Sequence, residues 1–162
     1  MDKIIINDTH NADSRPADED FTIEDLKVAT ESHIKDVRRG IAFFAEKLIE
    51  AGKNHDHTKM ENFYEEYGPL CMSRVVDDEF KADPWYSKHI FEERHHLNDN
   101  VPEDVDLIDC LEMLVDTVMA GRGRSGHLTS KYIEIDPKVL YRAYWNSVKK
   151  LNDIVQVANS EE

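Results

Sequence analysis

At 162 residues, with 40% hydrophobic and 33% charged residues, the chain fits one soluble globular domain able to bury a single sizeable core. The net charge of −14 argues against a general nucleic-acid surface and against an anionic membrane partner, since both are bound through clustered Lys and Arg. No apolar run approaches the roughly 18–20 residues of a membrane span, and residues 1–20 lack the basic and apolar parts of a signal peptide, so a cytoplasmic location is expected. A small anionic substrate stays compatible with the charge, provided metal ions or local basic groups reverse the field inside a site. Cys71 and Cys110 make no disulfide framework, and Cys110, within an apolar run, reads as a buried inert thiol.

Residues 1–20 are polar and acidic apart from Ile4, Ile5 and Ile6, and read as a loosely ordered arm with those three as a short extended piece. Thr22 with Asp25 marks a helix start. From Ile23 to Ala51, Leu26, Ala29, Val37, Ile41, Phe44, Ala45 and Leu48 recur near helical spacing. Gly52 reads as a left-handed cap, and Gly40 as a place for a close helix crossing. Thr58–Tyr67 reads as helical, broken by Gly68-Pro69, with a further short helix over Leu70–Phe80. Asp83-Pro84 opens a helix through Trp85, His89 and Phe91 toward His95-His96. Asn98-Asp99-Asn100 is a turn. Pro102 opens a helix to about Ala120 that frays at Gly121, Gly123 and Gly126. Asp136-Pro137 starts the last helix, with Leu140, Tyr144, Val148, Leu151 and Val155 as an apolar stripe. The expected fold is all-α, five or six helices in one bundle-like domain over residues 21–158, with 159–162 as a disordered tail.

The segment His55-Asp56-His57-Thr58-Lys59 then falls on a turn between two helices. An adjacent imidazole and carboxylate suit a borderline divalent cation. His33 lies upstream between Ala29 and Val37, and His89, His95 and His96 lie downstream. Only one of the His95-His96 pair can easily face a common point, and His57 should point away from it. Asp109, Glu112 and Asp116, spaced i, i+3, i+7, share one helical face. An acidic stripe is usually a solvated face, but Asp116 stands among Met113, Leu114, Val115, Val118 and Met119. A partly buried carboxylate there needs a cation or hydrogen-bond partners. Lys59, three residues after Asp56, could neutralise phosphate oxygens or hold a carboxylate ligand. Arg122 and Arg124, in a glycine-rich stretch without a nucleotide-binding pattern, read as a mobile basic loop able to clamp an anion.

Taken together these residues resemble the HD-domain superfamily of metal-dependent phosphohydrolases. The resemblance implies an all-helical, HD-domain-like fold with His33, His55, Asp56 and Asp116 as ligands of one metal. Lys59 stands where many members carry a lysine, and His89, His95 or His96 could serve a binuclear site. The chain looks closer still to a small phage-encoded family of unknown function. That family pairs a His-Asp-x-x-Lys segment with a downstream His-His and an acidic helix ending in Asp followed by Ala-Gly, here His55–Lys59, His95-His96 and Asp116–Arg124. The resemblance spans residues 33–124 and rests on short motifs. It departs at His57, where a small or aliphatic residue is usual, and Asp106 and Asp109 compete with Asp116 for the last ligand position.

The implied activity is hydrolysis of a phosphate ester or anhydride on a small nucleotide-like substrate, with one or two ions of Mn, Fe, Co, Ni or Zn. Lys59, Arg122 and Arg124 would stabilise developing charge, and Glu112 would accept a water proton or hold a ligand histidine. Two other readings stay open. One is a Mg²⁺-dependent all-α nucleotide pyrophosphatase using Glu61, Glu65 and Glu66 with Glu112 and Asp116. The other is a non-catalytic acidic helical binding protein, phage-derived and engaging a host protein, which would place the chain in the host-cell cytoplasm. A homo-oligomer is compatible with the sequence.

Overall fold

A computed structural model describes residues 3–7, 20–72, 76–127 and 134–158; most of the expected arm and the expected tail lie outside the described residues. What is described is mostly helical, with one small two-stranded sheet, and no helix in it is long and apolar enough to cross a membrane. In chain order come β1 (Ile4–Asn7), α1 (Ile23–Asn54), α2 (His57–Met60), α3 (Tyr67–Met72) and α4 (Asp78–Ala82). They are followed by α5 (Pro84–Glu92), α6 (Leu107–Ser125), α7 (Pro137–Ile154) and β2 (Val155–Ala158). The chain divides into two compact units, Met1–Lys47 with Val148–Glu162, and Leu48–Ser147.

In the first unit, β1 and β2 pair in parallel with Ile4 opposite Val155 and Ile6 opposite Val157. The expected extended piece is therefore a strand. The last helix stops at Ile154, and Val155-Gln156-Val157-Ala158 continues as a strand that finds its partner in β1. Lys3 Nζ donates to the Asp153 carbonyl at 2.8 Å, and Arg39 Nη1 donates to the Ile5 carbonyl at 2.7 Å. At the start of α1, Thr22 N–H donates to Asp25 Oδ2 (3.0 Å) and Asp25 N–H donates to Thr22 Oγ1 (3.2 Å), a reciprocal cap. A Cβ on Gly40 would meet the Leu151 methyls at 3.7 Å, ordinary van der Waals contact, so the approach there does not require glycine.

The second unit packs Leu97, Val105, Met113 and Ala143 into an apolar cluster, flanked by Val101, Leu107, Cys110, Ile135 and Val139. Burying Leu97, Val105 and Met113 contributes about 1.5–3 kcal/mol each. Asn146 Nδ2 donates to the Val105 carbonyl (2.8 Å), and Leu107 N–H donates to Ser147 Oγ (2.9 Å). Across the described residues as many polar as apolar side chains are buried, and Thr58, His89, Glu93, His95, Asp106 and Asp109 are among the polar ones. Buried polar groups need partners, so this interior is organised by hydrogen bonds as much as by apolar area.

Several boundaries differ from the sequence reading. α1 continues past Gly52 to Asn54, and the left-handed residue at its end is Asp56 (φ 55°). Helix is lost at Glu61, and a turn through Asn62 (φ 44°) precedes α3, which holds Gly68 and Pro69 in its first turn where proline is tolerated. No single helix joins Leu70 to Phe80: Val76 and Asp77 are not helical, and α4 starts at Asp78. α5 stops at Glu92, leaving His95 and His96 in a turn. Pro102 does not open a helix; α6 starts at Leu107, where Asp106 accepts the N–H groups of Ile108 (2.7 Å) and Asp109 (3.2 Å). α6 then runs through Gly121 and Gly123 and ends at Gly126 (φ 71°), so Arg122 and Arg124 stand on its last turn rather than in a loop. Two interior glycines cost a helix about 1 kcal/mol each, which a packed helix absorbs.

Candidate metal centre

The His-Asp turn owes its shape to a residue far along the chain. Asp56 stands at the N-cap position of α2 in a left-handed conformation (φ 55°, ψ 28°), yet its side chain caps nothing. The buried carboxylate of Glu93 does the capping instead. Its Oε2 accepts the Asp56 N–H (3.2 Å), and its Oε1 accepts the Thr58 N–H (2.9 Å) and the Thr58 hydroxyl (2.7 Å). Asp56 is thereby left to turn its carboxylate toward four histidines.

Asp56 Oδ2 lies 3.4 Å from His55 Nε2, and Oδ1 lies 3.7 Å from both His95 Nε2 and His89 Nε2. His89 Nε2 in turn sits 2.8 Å from His96 Nε2. Two groups can therefore each hold a metal ion, His55 with Asp56 and His95, and Asp56 with His89 and His96; they share Asp56. Glu112, on α6, stands behind the first group: its Oε1 is 2.9 Å from His55 Nδ1 and 3.1 Å from His95 Nδ1. The His55 contact is a hydrogen bond, whereas His95 approaches the same oxygen off its bonding direction and makes only an ion-pair contact. Lys59 Nζ donates to Asp56 Oδ2, the second of the two roles expected of it.

The donor set fits a cation. Asp56 Oδ1 and His95 Nε2 are buried without a hydrogen-bond partner, which costs about 1–3 kcal/mol for each such group unless something else satisfies it. Two ligand atoms bound near 2.0–2.2 Å from one ion lie about 3.0–3.5 Å apart at right-angle to tetrahedral geometry, and about 4.2 Å apart when opposite. Around Asp56, the 3.4 Å separation matches the tetrahedral case and the two of 3.7 Å lie between it and the opposite case. One carboxylate with neutral imidazoles is the donor chemistry of Mn²⁺, Fe²⁺, Co²⁺, Ni²⁺ and Zn²⁺.

Electrostatics sort the members. Burial disfavours a charge on His89, and with the neighbouring His96 it pushes the pKa down to about 4. Burial and His95 likewise lower His96, so both rings present neutral nitrogens. Burial opposes a charge on His95 too, but Glu112, Asp56 and Asp116 outweigh it and raise its pKa. Burial works against ionised Asp56, and Lys59, His55 and His95 overcome it, holding the carboxyl below its usual range. Glu112 is lowered in the same way, His95 and His55 outweighing its burial.

The expected ligands divide accordingly. His55, Asp56, His89, His95 and His96 come together, and both members of the His-His pair face Asp56, because the turn after α5 does not impose helical spacing on them. Asp116 Oδ1 stands 3.7 Å from His55 Nε2. Asp109 is drawn away by Arg94, whose Nε and Nη2 donate to its two oxygens at 2.8 Å each, and Asp106 serves as the cap of α6. His33 belongs to neither group. It lies on α1 within the first unit, whereas both groups lie within the second. Glu61, Glu65 and Glu66 are exposed and also belong to neither group. His57 faces Glu93 (3.0 Å) and Glu92 (3.8 Å). Cys110 is half-buried, with burial and then Asp109 and Asp106 pushing its thiol up to about 11, which keeps it unreactive.

A cavity of about 460 Å³ opens beside the cluster, walled by His89, His95, His96 and Asp116, by Arg124, and by Tyr86, Ile90, Leu97, Met113 and Ala120. Arg122 is not on its wall; it donates to the Gly126 carbonyl (3.0 Å) at the helix end. Sequence reasoning missed Thr58, Glu93 and Arg94. Arg94 and Glu93 stand one and two positions before His95, and Thr58 stands within the His55–Lys59 segment, which were the available signals. Compared with protein families, curated proteins and solved structures, the chain has no match.

Proposed function

We propose that this chain is a divalent-metal-dependent phosphohydrolase acting on a small phosphate ester of nucleotide type, on an HD-domain-like scaffold. The observation that carries the reading is Asp56 set between two histidine pairs, with unpartnered donor atoms facing one another beside a cavity that also holds Asp116 and Arg124. His55, Asp56 and His95 would hold one ion, and Asp56, His89 and His96 a second. Bound there, Mn²⁺, Fe²⁺, Co²⁺, Ni²⁺ or Zn²⁺ supplies Lewis-acid polarisation of a phosphoryl oxygen and acidifies water.

The protein's own groups divide the remaining work. Glu112 accepts from His55 Nδ1 and so turns Nε2 toward Asp56. Lys59 neutralises Asp56 and keeps it ionised. Asp116, on the cavity wall, is placed to take a proton from water. Arg124, on the same wall, offers a planar fork to two phosphate oxygens in a protein whose net charge is otherwise repulsive to them.

Elemental analysis of the purified protein, with a phosphatase screen over nucleotides in Mn²⁺, Co²⁺ and Ni²⁺, tests the reading. Metal uptake and hydrolysis are expected, and both should vanish in Asp56→Ala. Full activity in metal-stripped Asp56→Ala protein would overturn it. A Mg²⁺-only activity indifferent to His55→Ala would replace it with the pyrophosphatase reading.

A further inference from the structure

We propose that Glu93 and Thr58 form a hydrogen-bond relay that fixes which nitrogen of His89 faces the site, making both positioning residues for the candidate metal centre. Its purpose rests on the metal-centre reading; its geometry does not.

Glu93 is 4% exposed, and its two oxygens receive three donors: the Asp56 N–H, the Thr58 N–H and the Thr58 hydroxyl. That is the pattern of a carboxylate acting only as an acceptor. Thr58 has one hydroxyl proton, and it goes to Glu93 Oε1 at 2.7 Å. Its Oγ1 therefore offers only lone pairs to His89 Nδ1, 2.6 Å away, and the short contact between them requires the proton to sit on Nδ1. A neutral imidazole carries one ring proton, so Nε2 is left bare. That bare nitrogen accepts the ring proton of His96 Nε2 at 2.8 Å and lies 3.7 Å from Asp56 Oδ1, and these two residues are the remaining members of the second metal-capable group.

The ring is held as well as protonated. Trp85 stacks on it, with centroids 4.9 Å apart and planes 12° apart, and the Trp85 indole N–H donates to the Thr58 carbonyl at 3.3 Å. Thr58 is fully buried, so water does not compete for its hydroxyl. One carboxylate thus sets two things at once. Through backbone N–H groups it holds the left-handed turn that aims Asp56, and through the Thr58 hydroxyl it selects the lone pair that His89 presents.

The test is a two-bond ¹H–¹⁵N correlation spectrum of the metal-free, histidine-labelled full chain at neutral pH, paired with calorimetric titration of Co²⁺. His89 is expected as the Nδ1–H tautomer in the wild-type protein and in Thr58→Ser. In Thr58→Val, which keeps the shape and removes the hydroxyl, the tautomer should become mixed and Co²⁺ affinity should fall about 10–100-fold, with Thr58→Ser restoring both. A wild-type His89 protonated on Nε2 would overturn the relay without recourse to any variant. So would a Thr58→Val protein that keeps both the tautomer and the Co²⁺ affinity. A wild-type protein with the expected tautomer and its loss in Thr58→Val, but no Co²⁺ uptake, leaves the relay standing and removes the metal-centre reading.

Discussion

Asp56 Oδ1 and His95 Nε2 face each other across 3.7 Å, both buried and neither hydrogen-bonded. Interiors rarely leave a carboxylate oxygen and an imidazole nitrogen unsatisfied side by side. A cation shared between them would satisfy both atoms, so metal uptake should raise thermal stability, read as Tm with and without Co²⁺.

Backbone and carboxylate can be separated at Asp56. With φ at 55°, an alanine there carries a left-handed penalty of about 1–2 kcal/mol, which glycine escapes at a smaller entropic cost of roughly 0.5–1 kcal/mol. Asp56→Gly should therefore be at least as stable as Asp56→Ala by calorimetric Tm, while both lose Co²⁺ uptake. An Asp56→Ala protein clearly more stable than Asp56→Gly would show that the turn does not hold this conformation.

Glu112 braces His55 and His95 from behind through one oxygen. In Glu112→Gln an amide oxygen can still accept from His55, but the charge that draws His95 is gone. Metal affinity, read by competition with a chelator, should fall about 10–100-fold with little change in the unfolding midpoint of the metal-free protein. Unchanged affinity would remove Glu112 from the site.

Arg94 and Asp109 are costly to separate rather than strongly stabilising. Burial raises the Asp109 pKa even with Arg94 beside it, while the guanidinium itself is held charged by Asp109. Arg94→Ala strands a carboxylate that is 6% exposed and also closes the α6 cap. A loss of roughly 2–3 kcal/mol in urea unfolding is expected, below the 3–5 kcal/mol of a fully buried pair because Arg94 is partly solvated. Adding Asp109→Asn should recover part of it.

Acid should weaken the metal-free fold through His89. Its folded pKa, about 4, lies below the unfolded value near 6.5, so the unfolded chain takes up the proton first. The stabilisation is full above about pH 6.5 and is lost as pH falls toward 4. His96, also lowered by burial, acts in the same sense, and the raised pKa of His95 opposes them. Tm measured from pH 7 to 4 should fall, and less steeply in His89→Asn. Equal slopes for the wild-type protein and His89→Asn in that window would contradict the buried, neutral state of His89.

Local rules carried parts of this fold plainly. Asp83-Pro84 starts α5 as written, with Asp83 accepting the Trp85 N–H at 2.8 Å, and the Thr22–Asp25 pair starts α1. The stripe of Asp109, Glu112 and Asp116 shares a helix but not a role, since a helical face says nothing of what approaches it: Arg94 takes the first, two histidines the second. Glu93 shows no periodicity at all, and its meaning comes from Thr58, 35 positions away. On α7 the stripe of Leu140, Tyr144 and Val148 is exposed, while Ala143, Ser147 and Ile154 are buried. Ala143 and Ser147, both small, are buried ahead of the larger apolar side chains of the stripe, a choice made by the neighbours and not by hydropathy.

The pairing of Ile4 with Val155 has a temporal side. A strand whose partner lies some 150 residues downstream waits for it during synthesis, for roughly 8–30 s at 5–20 residues per second. Ile4, Ile5 and Ile6 spend that interval without a mate on the nascent chain, and loop-closure entropy still opposes the join once Val155 emerges. Closure of this small sheet is therefore a late event, after the rest of the described chain has left the ribosome.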